Sequence, residues 1–326
     1  MANKYTSIGG QALIEGIMMK SPEKTAIVVR TPDKSIDISY MNGKSVREKY
    51  KILALPIVRG VVGFVESMLQ GYKALSLSAE KSGFAEEESD TPKTEEQKKK
   101  DSQFLNVVMV IGAVLGVVLA LGLFMYLPRL CVSGIEWLIK EPINSKILRS
   151  VIEQALKMTI FVGYVMLVSL MNDIKRVYMY HGAEHKTIFC YEKGLELTVE
   201  NVRQQKRFHP RCGTSFMILM ILISVILSTV LQIIFPNIYA IPWLWTIAKL
   251  LMVPLTCGIG FEVLKFCGRF DNIITRIISA PGMWLQRVTT KEPTDDMIEV
   301  AIAALKACDE IEDTVLEEEL PENDNI

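Results

Sequence analysis

Residues 107–127 contain no charged side chain. About 20 consecutive apolar residues are what a helix needs to cross the hydrocarbon core of a bilayer, and a helix of a water-soluble domain rarely stays apolar on every face for that length. Residues 216–235 repeat the pattern, with only Ser, Thr and Gln as polar members. Residues 156–171 and 243–264 are weaker versions: Lys157 stands at the start of the first, and Lys249 and Glu262 lie within the second. These runs predict four membrane-spanning helices. Half of the 326 residues are apolar while 22% are charged, which is consistent only if apolar residues gather in blocks and the charges lie in water-facing parts. That composition excludes a disordered chain, a collagen-like chain and a disulfide-stapled secreted domain.

A formal net charge of −1 leaves no global basic field, so no nucleic-acid partner is expected. The expected partners are the lipid bilayer and a membrane-associated substrate; substrate identity and oligomeric state stay open. The first residues are polar and glycine-rich, without the apolar region and cleavage site of a signal peptide. Orientation follows from the basic loops. Residues 172–215 hold eight Lys and Arg, including Arg176, Lys186 and Arg211; Lys98, Lys99 and Lys100 precede the first span, and Lys265, Arg269 and Arg276 follow the fourth. The turn between the third and fourth spans has none. The positive-inside rule then predicts a multi-pass protein of the cytoplasmic (inner) membrane, with both termini and the 172–215 loop in the cytoplasm, where disulfides are not expected.

The fold class expected is a mainly α membrane protein with about four transmembrane helices, a small N-terminal β-containing cytoplasmic module and amphipathic cytoplasmic helices. Residues 1–45 form the β module: two β-branched runs, 26–30 and 36–40, flank the turn Thr31-Pro32-Asp33-Lys34. Residues 46–84 read as an amphipathic helical segment interrupted at Pro56 and Gly60, lying on the membrane surface or partly buried. Residues 85–105 are a charged linker. The four-span membrane domain covers 106–265 and includes the 172–215 loop. Residues 266–326 supply an interfacial segment with Trp284 and an acidic amphipathic helix at 294–318, which packs on the cytoplasmic module.

The chain has three histidines, at 181, 185 and 209. His181-Gly182-Ala183-Glu184-His185 places two imidazoles at i and i+4, on one helix face and close enough to bind one metal ion. This is the H-x-x-E-H arrangement, the inverse of the H-E-x-x-H zinc helix. His209-Pro210-Arg211-Cys212 adds a third imidazole and a thiol just before the third span. A short helix opened by Thr198 and closed at Arg207 would let this second piece fold back on the first. The candidate metal ligands are therefore His181, His185, His209 and Cys212. Glu262, a carboxylate near the cytoplasmic end of the fourth span, is a further candidate ligand or catalytic group; its alternative is an ion pair with Lys265 or Arg269. Glu184 is the candidate general base. Imidazole and thiolate ligands put Zn²⁺ first among divalent metals, with Fe²⁺ or Mn²⁺ as alternatives. Glu15, in Gly9-Gly10-Gln11-Ala12-Leu13-Ile14-Glu15-Gly16, is a third candidate catalytic carboxylate, against the alternative of a strand-end solvent residue. Cys190, Cys257 and Cys267 read as packed thiols.

GGQALIEGIMMKSP at 9–22, YHGAEHKTI at 180–188, HPRCGTSF at 209–216 and PGMWLQRVTTKEP at 281–293 resemble the YqhQ-like bacterial membrane-protein family, domain of unknown function 1385, whose members are described as metal-dependent enzymes. The motifs are spread over almost the entire chain. The resemblance implies a multi-pass membrane protein with a metal centre at His181, Glu184, His185, His209 and Cys212. It raises Glu15 and Gln286 in rank, and it supplies no substrate. The function expected is a metal-dependent membrane enzyme, a hydrolase acting at the cytoplasmic face. The competing expectation is a membrane scaffold or assembly factor whose metal is structural; a transporter ranks last, because the first and third spans offer few polar residues.

Overall fold

The computed structural model of the chain describes residues 8–41, 45–83, 95–210, 212–270 and 272–309. Arg211, the first half of the 85–105 linker and the end of the 294–318 helix lie outside them.

Four strands, β1 (Gly9–Leu13), β2 (Gly16–Lys20), β3 (Thr25–Arg30) and β4 (Ile36–Met41), form an antiparallel meander in the order 1-2-3-4. The hairpin expected between residues 26–30 and 36–40 is β3–β4, with Arg30 opposite Ile36. Strands β2 and β3 are buried along nearly their whole length, because both faces of the sheet are covered. Ile17, Met19, Ala26 and Val28 enter one core with residues of α6 (Asn172–Glu192), α7 (Val199–Arg203) and α13 (Asp295–Asp309). Leu13, Met18, Ile27 and Val29 point the other way, onto Ala74 of α2 (Val58–Lys81). The period-2 alternation of a strand thus serves two helical layers.

Helix α2 is preceded by a short α1 (Val46–Lys49) and a 3₁₀ turn, Lys51–Ala54. After α3 (Glu95–Leu121) come α4 (Leu127–Ile139) and α5 (Lys146–Val168), then α6 and α7. Helices α8 (Gly213–Ile234), α9 (Pro236–Ala240), α10 (Pro242–Leu251), α11 (Val253–Arg269) and α12 (Ile273–Thr289) lead to α13. Among the described residues, three helical stretches are long and apolar enough to cross a membrane: Val110–Ile139, Leu148–Val168 and Gly213–Ile234. A fourth is available if Pro242–Leu251 and Val253–Cys267, bent by 41°, count as one broken span.

Several boundaries differ from the sequence expectation. The second half of the charged linker, from Glu95, is already helical. The first apolar helix does not end near residue 127 but continues to Ile139. Pro128 falls in the first turn of α4, and a π-helical turn, Gly122–Tyr126, precedes it, with Leu127 N–H donating to Gly122 O. A proline cannot donate and its ring crowds the preceding turn; widening that turn absorbs it without ending the helix. The second apolar stretch begins earlier than residue 156, at Leu148, in a helix capped by the Ser145 side chain. In the fourth, Pro254 sits at the start of α11 and accompanies the bend.

Two close helix crossings fix the packing of α8 and α11. Gly282 of α12 lies against Ser215 of α8, where a Cβ would come within 2.6 Å of Ser215 Cα. Gly60 of α2 meets Gly258 of α11, where a Cβ on Gly60 would come within 2.9 Å of Gly258 Cα.

Candidate metal centre

Helix α6 carries His181 and His185 on one face, with ring centroids 4.4 Å apart. The helix tolerates Gly182 between them because another segment lies on it. A Cβ at Gly182 would stand 2.0 Å from Lys291 O, and Lys291 N–H donates to Tyr178 O at 2.8 Å. Laying residues 290–293 across α6 brings the last residue of α12 to the site: Thr289 O lies 2.9 Å from His181 Nδ1. The other imidazole is held in the same manner by a different segment, His185 Nδ1 against Arg207 O. A carbonyl only accepts, so each Nδ1 carries the proton and donates. Each Nε2 is left with its lone pair.

Both remaining nitrogens face Cys212. His181 Nε2 is 3.1 Å from its Sγ, and His185 also hydrogen-bonds this sulfur. The three ligand atoms lie within 4.8 Å of one another. Cys212 is the N-cap of α8, its sulfur accepting from Thr214 N–H at 3.4 Å. The N-terminal end of a long helix favours negative charge, which a metal-bound sulfur carries. Burial pushes the His185 imidazole below its ordinary range, against the opposing pull of Cys212. The ring is thus kept in the neutral form that binds metal.

Loop 203–212 is held to α6 and α12 by polar contacts. Lys186, buried, donates to Arg203 O at 2.8 Å and pairs with Glu292 at 2.7 Å; Glu292 also pairs with Arg207, whose carbonyl holds His185. Gln286 is fully buried and clamps the loop main chain: its Oε1 accepts from His209 N–H at 2.7 Å, while its Nε2 donates to His209 O at 2.8 Å and to Ser215 Oγ at 2.9 Å. Thr198 caps the connecting helix as expected, but α7 ends at Arg203 rather than Arg207.

The structure separates the other candidates from this trio. His209 turns its ring to Phe189, centroids 4.7 Å apart, and places Nε2 3.9 Å from Glu192. It lies behind His185 at 5.6 Å between centroids and is not one of the three grouped ligands. Glu262 is bound to Arg59, Nε to Oε1 at 2.7 Å, and also receives the N–H of Ile57. Its ion pair is with Arg59 rather than Lys265, the Arg269 side chain lies outside the described residues, and the carboxylate does not join the imidazoles. Glu15 occupies the β1–β2 turn with φ 49° and is held by Arg176, Nη2 to Oε2 at 2.6 Å, and by the Tyr180 hydroxyl at 3.2 Å. It fastens the sheet to α6 and is not a solvent residue. Glu184 is buried against the sheet: it accepts from Gly10 N–H, and a Cβ on Gly10 would strike its carboxyl at 2.9 Å. Burial raises its pKa; the neighbouring His181 and the Gly10 bond act in the opposite direction.

Sequence reasoning missed the carbonyls of Thr289 and Arg207, which carry no side-chain signal. It also left the partners Arg59 and Arg176 unassigned. Cys190 and Cys257 are buried, and Cys190 Sγ faces Glu196 O at 3.5 Å.

Comparison with known proteins places the chain in a family. The chain is 35% identical over 296 residues to the uncharacterized protein YqhQ of Bacillus subtilis (strain 168), covering 90% of this chain and 89% of that protein. No solved structure matches it. The model of the protein family of unknown function DUF1385 matches residues 55–310, which include all three grouped ligands, and the chain belongs to that family.

Proposed function

We propose that this chain is a metal-dependent enzyme of the cytoplasmic membrane, a hydrolase acting at the cytoplasmic face on a lipid, a lipid-linked precursor or a membrane-protein segment. One observation carries the reading: two imidazoles each give Nδ1–H to a main-chain carbonyl and turn Nε2 toward one thiol. A hydrogen-bonded Nδ1 that fixes tautomer and ring orientation is how metal-ligating histidines are held.

His181, His185 and Cys212 would hold the ion, and two nitrogens with one sulfur suit Zn²⁺ first, with Fe²⁺ or Mn²⁺ behind it. Three protein ligands are the number that catalytic rather than closed structural sites use. Such an ion supplies Lewis acidity, lowering the pKa of a bound water and polarising a carbonyl or phosphoryl oxygen. The chain's own residues do the rest. Thr289 and Arg207 orient the imidazoles, Gln286 holds the loop that ends in Cys212, and Glu184, on the same helix as His181, takes a proton. Its burial makes it a stronger base than a solvated carboxylate. The test is X-ray absorption at the metal edge of purified protein, which should resolve two imidazole nitrogens and one sulfur around the ion.

A second reading, a scaffold or assembly factor with a structural metal, is favoured by the contact of Glu184 with Gly10, which commits one carboxylate interaction to the sheet. The two readings part at Glu184→Gln: the scaffold keeps its cellular function and the enzyme loses it.

A further inference from the structure

We infer that residues 52–59 form a re-entrant hairpin inserted among the acyl chains of the cytoplasmic leaflet, closed at its base by Glu262. The inference rests on the proposed membrane-spanning reading of α10–α11.

The start of α2 is packed into the side of α11 well above the end of that span. A Cβ on Gly258 would come within 2.7 Å of Ile57 O, and the Gly60 crossing lies at the same level. Gly258 precedes Lys265, the first basic residue toward the cytoplasmic end of α11, by seven residues. At 1.5 Å per residue that is about 10 Å along the helix, inside the ~15 Å half-thickness of a hydrocarbon core. The chain entering α2 at this depth is apolar and open. Ile52, Leu55, Ile57 and Val58 are all exposed, Ile52 at 69%. Before this tip stand Lys49, Tyr50 and Lys51, with Lys49 over the Tyr50 ring at 5.6 Å. An apolar tip below a basic and aromatic collar matches the profile of a leaflet, acyl chains below anionic headgroups.

The polar groups of the hairpin are arranged for that setting. In hydrocarbon every main-chain donor and every charge needs a partner within the protein. Ile57, with φ 69°, precedes the first turn of α2, and its N–H donates to Glu262 Oε1. The same carboxylate takes the Arg59 guanidinium in a two-pronged contact, and Arg47 pairs with Glu66. Glu262 therefore neutralises the one charge the hairpin carries to that depth and caps its exposed main chain. This explains a carboxylate in an apolar helix without a metal.

The test uses full-length protein in vesicles of phosphatidylcholine and phosphatidylglycerol, with bimane on Leu55→Cys; the labelled chain without the added cysteine supplies the blank. Lipids brominated in the acyl chain should remove most of the Leu55→Cys emission, and aqueous iodide should leave it unchanged. Bimane on Glu23→Cys, in the exposed β2–β3 turn, should respond the opposite way. Adding Glu262→Ala should render Leu55→Cys sensitive to iodide. Iodide quenching of Leu55→Cys alone, or insensitivity to both quenchers as a covering protein surface would produce, overturns the hairpin. Val114→Cys, on the apolar helix α3, separates the two levels. If it is quenched by brominated lipid while Leu55→Cys is not, only the hairpin falls; if neither is quenched, the membrane reading falls with it.

Discussion

His181 Nε2 and Cys212 Sγ lie 3.1 Å apart although they belong to different helices, and the contact exists because Thr289 O fixes the far side of the imidazole. Neither partner reaches this position through its own helix alone. α6 must be crossed by residues 290–293, and the loop before α8 must be held by Gln286. Substitutions at Gly182 and Gln286 probe these two dependencies separately.

Gly182→Ala places a methyl carbon 2.0 Å from Lys291 O. The segment after Thr289 has to lift, at about 1–3 kcal/mol for an overpacked contact. Thermal unfolding should show the loss, and metal affinity should fall with it, because Thr289 O moves away from His181. Unchanged stability would mean that the crossing is not maintained.

Gln286→Leu keeps the volume but leaves His209 N–H without its present partner, while His209 O keeps the bond from Cys212 N–H at 3.4 Å. A buried group left unpaired costs about 1–3 kcal/mol, and a destabilisation of that size is expected in chemical denaturation. Metal binding should weaken as well, since the loop ending in Cys212 loses its clamp. Gln286→Glu should recover the contact to His209 N–H but not the two donations from Nε2.

Glu184 gives a pH signature in metal-free protein. Burial raises its folded pKa above the unfolded value, so the folded state binds more protons between the two. Stability therefore falls as pH rises from the ordinary carboxylate range toward the raised value. Glu184→Gln removes the ionisation, so its unfolding free energy should decline less over that window than that of the wild type. Urea titrations across the acid range compare the two slopes directly. If Glu184 is also the base, the same variant should lose activity by about 10²–10⁴-fold, the usual range for general base catalysis.

Glu262→Ala should leave metal content unchanged, because its carboxylate is bound to Arg59 and not to the imidazoles. It should still destabilise the protein in a bilayer, since Arg59 then loses its partner. Loss of metal in this variant would return Glu262 to the centre.

The legible part of the site is local. His181 and His185 meet because helical spacing puts i and i+4 on one face, and the Thr31–Lys34 turn marks its hairpin for similar reasons. The rest depends on distant chain. Glu262 finds its partner in Arg59, and Glu15 in Arg176, across separations that no periodicity encodes. His209 shares a motif with Cys212, but its backbone is clamped by Gln286 and its ring faces Phe189, so only the thiol reaches the trio. The first apolar run is read as ending at residue 127, just before Pro128, while the π turn that absorbs this proline becomes visible only in three dimensions.

The central claim is that His181, His185 and Cys212 bind one divalent ion. Metal analysis of purified wild-type protein beside His185→Ala tests it most directly. Near one equivalent of metal, Zn²⁺ first, is predicted in the wild type, with a near-complete loss in the variant at equal yield of folded protein. Equal, near-zero metal in both would contradict it.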